Sequence, residues 1–342
     1  MDSTDMRSHI LKQGLSARRT LEANRQAVED FAAVAEFDRI IVNGAGDKYL
    51  VGLTASYLWR SFGREPLTVV HSRDLADNPP YMDEDTLVVF LSQSGRTRDT
   101  LDAARVAARH HAQSLVITNL RDPVPETLWF LRDSGPVLVT QTEIYPERSL
   151  PSTMTFHSTL SLLWHVLAEL AGKDLYEELL AAADLTHELS NDPGLERKAA
   201  ETAKKLSGPR YVFGDGPRYG LARKLALIMF MEGAKVNAFP LETEEFLHSA
   251  IETLEPEAEH LPAVVFMPPP KEPFRKRAEK VVRLWGKRAP VHTIEPPAGV
   301  PEMLSPQPQM VFGEWLAYHE ALLRGVDPGV SKLVDKVRAG KV

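Results

Sequence analysis

The chain has 342 residues, 43% hydrophobic and 25% charged, which excludes disorder and, at ~150 residues per domain, predicts about two domains. Forty basic residues against 47 acidic ones give a net charge of −7, so nucleic acid and anionic membranes are not expected partners, and any anionic ligand must be small and locally bound. The absence of cysteine excludes disulfides, thiolate nucleophiles and cysteine-ligated zinc. A polar start and no apolar run near the ~18 residues of a membrane span then predict a cytoplasmic chain without signal peptide or anchor.

Residues 1–35 set Ile10, Leu11, Leu15, Leu21, Val28 and Phe31 at helical spacing among charges and predict one or two amphipathic helices. Short β-branched runs follow at 39–42, 67–70, 86–91, 114–117 and 137–139, with helical stretches such as 97–108 between them. Strand, crossover and strand at this spacing imply parallel pairing with helices on both sheet faces, a doubly wound α/β domain. A helical region at about 155–188 separates this pattern from its return at 211–213, 236–239, 263–266 and 291–294, which closes on a helix through 315–323. The chain reads as a duplication, with a helical segment at 1–35, a first domain at 36–185 and a second at 186–342.

Two glycine turns mark the repeat, Gly44-Ala45-Gly46 and Gly214-Asp215-Gly216, each after the first strand of its half and before a helix. A tight turn of this kind needs glycine with or without a ligand. Neither turn completes the six-residue dinucleotide fingerprint, so a nicotinamide cofactor is disfavoured. The richer signal follows the strand at 86–91, where Ser92-Gln93-Ser94-Gly95-Arg96-Thr97 runs straight into a helix. First-turn N–H groups lack intrahelical partners and the helix dipole favours an anion there, while Ser92, Ser94 and Thr97 bring further donors. Helix capping accounts for one hydroxyl and not three. A phosphate monoester fits this loop, at the carboxyl end of a strand where open α/β sheets hold ligands. The corresponding place in the second half reads Met267-Pro268-Pro269-Pro270-Lys271, where prolines remove donors, so one phosphate site per chain is expected.

The stretch 92–100 matches throughout the Ser-Gln/Glu-Ser-Gly-x-Thr-x-Asp-Thr loop of the sugar isomerase (SIS) domain family, and the chain resembles that family over both halves. It is similar to the isomerase part of glucosamine-6-phosphate synthase, to fructosamine-6-phosphate deglycases and to related deaminases, all with tandem flavodoxin-like SIS domains. The resemblance implies substrate contacts from Gly46, Lys48, Ser92, Gln93, Ser94 and Thr97, with Lys48 where the family often has a serine. Pro146 to Thr153 looks like the family's Pro-Glu-x-x-Val-Ala-Ser-Thr segment and carries sugar contact to Leu150, Ser152 and Thr153.

Read alone, Glu232 at the end of the apolar run 228–231 is a surface acid or a half-buried one, and His248 a solvated residue. The family carries a catalytic glutamate followed sixteen positions later by the histidine of a Glu-x-x-His motif, a spacing that Glu232, Glu245 and His248 reproduce. The resemblance thus implies that Glu232 is the enediol base, that His248 opens the sugar ring and that Glu245 orients the site. It further implies a homodimer, His248 being contributed across the interface, and a tail lysine, Lys336, that closes over the sugar. Met229 stands where the synthase has a lysine, leaving no Schiff-base amine at that position. The expected activity is a C1–C2 proton shift in a 6-phosphorylated sugar or aminosugar without metal or organic cofactor, either ending as isomerisation or continuing to imine hydrolysis as a deglycase or deaminase. The alternative expectation is a regulatory protein that binds phosphosugars without turnover.

Overall fold

A computed structural model describes the chain except for residues 1–3, 64, 122–134, 207, 257, 332, 334, 335 and 338–342. Helix α1 (Thr4–Val34) is single and continuous, and it packs on α5 (Met154–Leu170) and α6 (Tyr176–Ser190). The first sheet contains β1 (Arg39–Gly44), β2 (Leu67–His71), β3 (Thr86–Ser92), β4 (Gln113–Thr118) and β5 (Val137–Val139), all parallel in the order β2-β1-β3-β4-β5. Between these strands run α2 (Asp47–Phe62), α3 (Ser72–Asp77) and α4 (Arg98–Arg109). All seven residues of β3 are buried, which explains its unbroken apolar run: a central parallel strand has no solvent face.

After α7 (Pro193–Lys205) the second sheet repeats the order with β6 (Arg210–Phe213), β7 (Ala238–Leu241), β8 (Ala263–Phe266) and β9 (Val291–Ile294), again parallel, as β7-β6-β8-β9. Its helices are α8 (Pro217–Arg223), which continues as a π-helical stretch (Lys224–Ala234), then α9 (Thr243–His248), α10 (Arg275–Trp285) and α11 (Pro306–Leu323). The strand expected at 236–239 begins two residues later. Lys235 takes a left-handed conformation at φ 57° and the Val236 amide returns to the Phe230 carbonyl at 3.0 Å, so the helix exit consumes 235 and 236. Pro240 then sits in β7, an edge strand, where a missing donor is tolerated.

One large core lies between the inner faces of both sheets and includes Leu21, Val89, Leu163, Leu225, Phe266 and Trp315. Smaller cores under α3 and α4, and under α9 and α10, cover the outer faces. Each lobe is therefore a three-layer α/β/α sandwich of doubly wound order, and the two share their middle. In such sheets ligands bind outside the carboxyl ends of the strands where the winding reverses. In the first lobe that point lies between β1 and β3.

Candidate active site

The turn after β1 and the loop after β3 meet at that reversal. Gly46, at φ 54° and ψ −123°, precedes α2 in a conformation that residues with a Cβ rarely adopt. Gly95, at φ 62°, turns the chain from β3 toward α4, and a Cβ there would lie 2.9 Å from Leu120 Cδ2. None of the loop hydroxyls caps α4. Thr97, its N-cap residue, makes no side-chain cap bond; Ser94 Oγ accepts from the Arg96 amide at 3.2 Å; and Ser92 Oγ, in a residue 3% exposed, has no hydrogen-bond partner among the described residues. A buried hydroxyl beside uncapped first-turn amides is a donor set suited to an oxyanion.

These residues line a crevice of about 870 Å³ with walls from both lobes. From the first lobe come Gly46, Asp47, Lys48, Ser92, Gln93, Ser94 and Thr97, and from the segment before α5 come Glu147, Arg148, Leu150 and Ser152. The second lobe contributes Ile228 and Glu232 from the π-helical stretch, and Gly329 and Ser331 of the C-terminal segment close the rim. Glu232 and the serine-rich loop, 140 positions apart in sequence, thus share one cavity.

Charged groups make up the floor. Lys224, fully buried, donates to Asp47 Oδ1 at 3.0 Å and to the Ser152 carbonyl at 2.6 Å, and Ser152 Oγ donates to Asp47 Oδ2. Burial pushes the Asp47 carboxyl up, but the charges of Lys224 and Lys48 and the Ser152 hydrogen bond outweigh it and hold the group below the usual carboxylate range. Lys48 donates to the Thr155 carbonyl at 2.8 Å, and burial pushes its ammonium down to about 8 against the pull of Asp47 and Glu147. The Glu147 carboxylate accepts from the amides of Thr153, Met154 and Thr155 at 2.6, 2.9 and 3.0 Å, and so caps α5.

That cap decides the place of Thr153. It is fully buried behind Glu147, its hydroxyl 3.4 Å from the carboxylate, and it is not among the crevice residues, whereas Leu150 and Ser152 are. Lys336 is exposed and also outside the crevice, which the tail reaches at Gly329 and Ser331 instead. Glu245 and His248 are exposed on α9, and His248 lines a separate surface groove with Lys276, Arg277 and Lys280. A single chain therefore does not bring Glu245 or His248 to Glu232. Lys224 escaped the sequence reading; its one signal is that it and Arg223 are the two charges in the otherwise apolar stretch 221–231.

A duplicated, doubly wound α/β chain with one crevice at the winding reversal of its first sheet is the class that fold and geometry define. Residues 34–168 match the SIS domain family and residues 195–340 match the bacterial phospho-glucose isomerase C-terminal SIS domain. The chain belongs to the SIS domain family, with two such domains in tandem. Among curated relatives, the glutamine--fructose-6-phosphate aminotransferase [isomerizing] of Thermococcus kodakarensis is 27% identical over 94% of this chain and 56% of its own length. The chain spans roughly half the length of the curated relatives it matches. The same fold occurs in tagatose-6-phosphate ketose/aldose isomerase from Escherichia coli, with a TM-score of 0.78 and 19% identity over 96% of each chain. It occurs too in glucosamine-6-phosphate deaminase from Thermotoga maritima, with a TM-score of 0.70 and 18% identity over 92% of this chain and 95% of that one.

Proposed function

We propose that the protein is an enzyme that shifts a proton between C1 and C2 of a 6-phosphorylated sugar or aminosugar. The observation that carries this reading is the single crevice in which the uncapped serine-rich loop of one lobe faces Glu232 of the other. The phosphate ester sits on the Ser92–Thr97 loop, with Lys48 as its counter-charge, and this anchor sets the register of the carbon chain. Glu232 takes the proton from one carbon while the electrons of that C–H bond form the C1=C2 bond and the carbonyl or imine π pair moves onto its heteroatom, which takes a proton from water to give an enediol or enolamine. Glu232 then returns its proton to the other carbon as the adjacent hydroxyl loses its own to water and becomes the new carbonyl. Leu150 and Ser152 lie along the same wall and contact the sugar. His248, outside the crevice of its own chain, opens the ring from a second copy in a homodimer, with Glu245 and Lys336 assisting at the assembled site.

The names of the relatives support an isomerising step on a hexose 6-phosphate, and the deaminase fold neighbour supports hydrolysis of an imine as a continuation. The test is incubation with fructose 6-phosphate, glucosamine 6-phosphate and a fructosamine 6-phosphate, assaying interconversion and release of ammonia or amine, for wild type and Glu232→Gln. The expected result is phosphosugar binding retained within about threefold and turnover lowered about a thousandfold. Unchanged turnover in the variant would remove Glu232 from the chemistry, and binding by the wild type without turnover of any of the three would favour the regulatory alternative.

A further inference from the structure

Asp47 is a carboxylate in the wall of a crevice whose other features suit an anion. It stands in the first turn of α2, directly after Gly46, with its side chain 13% exposed. Left unpaired, it would repel a phosphate at close range. Its main counter-charge comes from the other lobe: Lys224 contributes a buried ammonium that also lies 4.3 Å from the Phe156 ring centroid.

The helix that supplies this lysine also supplies Ile228 and Glu232 to the crevice. It is held to the first lobe on both sides of Lys224. A Cβ on Gly220 would lie 2.1 Å from Thr54 Oγ1 and 3.0 Å from the Leu50 carbonyl, and one on Gly233 would lie 2.8 Å from Pro151 Cγ. Between these two close glycine approaches Lys224 is the charged tie, and it bonds to Asp47 on the phosphate side and to Ser152 on the sugar side.

We infer that Lys224 is a positioning residue of the active site: it cancels the charge of Asp47 in the crevice wall and fixes the Glu232 helix in register with the phosphate loop. The inference rests on the proposed reaction for its catalytic half and on phosphosugar binding alone for its electrostatic half. Lys224 touches neither the reacting carbons nor the phosphate in this account; it acts through Asp47, Ser152 and the helix it belongs to.

The experiment compares wild type, Lys224→Met and the double variant Asp47→Asn/Lys224→Met. Three quantities are read: calorimetric affinity for fructose 6-phosphate, thermal midpoint, and kcat and KM for whichever of the three phosphosugars above the wild type turns over. Lys224→Met removes the direct counter-charge of Asp47 and leaves it with the Ser152 hydroxyl and Lys48 at 3.9 Å, and the expected result is affinity at least tenfold weaker with a lower midpoint. The double variant is expected to recover midpoint and affinity to near wild type while kcat stays at least tenfold low at an almost unchanged KM, a split that a purely structural ion pair would not give. Full kcat in the double variant, or wild-type affinity in Lys224→Met, would overturn the inference. If the wild type turns over none of the probes, the proposed reaction fails, yet the affinity arm still decides the electrostatic half.

Discussion

In the first lobe Lys48, four residues after Gly44, gives its ammonium to the Thr155 carbonyl; in the second lobe Arg218, four residues after Gly214, occupies the matching place. The glycine turns around them are near copies, with Gly46 at φ 54° and ψ −123° and Gly216 at φ 58° and ψ −132°. The occupants of the adjoining space differ. Every guanidinium nitrogen of Arg218 is partnered: Nε donates to Gln309, one terminal nitrogen to Ser305 Oγ at 2.8 Å and the other to the Glu272 carboxylate at 3.1 and 3.2 Å. Glu272 belongs to the loop between β8 and α10, the counterpart of the serine-rich loop between β3 and α4. The second lobe thus carries its own carboxylate where the first offers hydroxyls and uncapped amides. The comparison teaches that one duplicated scaffold builds a carboxylate into the reversal point of its second half, while the first half leaves there the donors that the proposed function assigns to a phosphate.

Five substitutions and one titration break or sharpen that contrast. The largest effect is expected from Gly95→Val, which forces a side chain into the left-handed turn and against Leu120; phosphosugar affinity should fall about a hundredfold by calorimetry. The matched change Gly216→Val, which meets Phe274 at 2.9 Å, should lower the thermal midpoint and leave that affinity within about threefold. Next, Glu272→Gln strips the charge that offsets buried Arg218, at an expected cost of about 2 kcal/mol in chemical denaturation. It should also let the second lobe bind sulfate weakly, and an unaltered denaturation curve would contradict the built-in anion.

Ser94→Ala should weaken binding of phosphorylated over free sugar about tenfold, or about 1.4 kcal/mol. Equal affinity of the wild type for the two forms would refute the anchor. The smallest effect is the pH dependence of Lys48. Its ammonium titrates at about 8, below the ordinary 10.5, so it is charged below that pH and neutral above it. KM for a phosphosugar should therefore climb a few-fold as pH rises from 7 to 9, and Lys48→Met should flatten that limb. The same depression predicts that the penalty of burying the charge is fully present below pH 8 and relieved between 8 and 10.5, so stability rises across that window.

The sheets were legible because β-branched runs such as 86–91 have both faces buried, and the phosphate loop because its hydroxyls are neighbours in sequence. Glu232 was legible only through its spacing to His248 in a family motif; nothing in its own surroundings distinguished it from a surface acid. Lys224 was illegible because its partner, Asp47, lies 177 residues away, and no local pattern announces a pair made by two lobes meeting. Glu147 was read as part of a sugar-contact segment, while its carboxylate spends its bonds on the start of α5, which in turn withdraws Thr153 from the crevice. Periodicity reports which face is inside, and it does not report what two distant side chains do when folding brings them together.

The approach of Gly220 to Thr54 and Leu50 packs the crossing helices closely, which favours a crevice of set length over one that opens as a jaw does. On the proposed reading the crevice acts as a ruler, with its zero at the phosphate and its mark at the 232 carboxylate. Pentose 5-phosphates and heptose 7-phosphates, one carbon short or long, should seat their phosphates as well as a hexose does and still hold the wrong carbons under that mark.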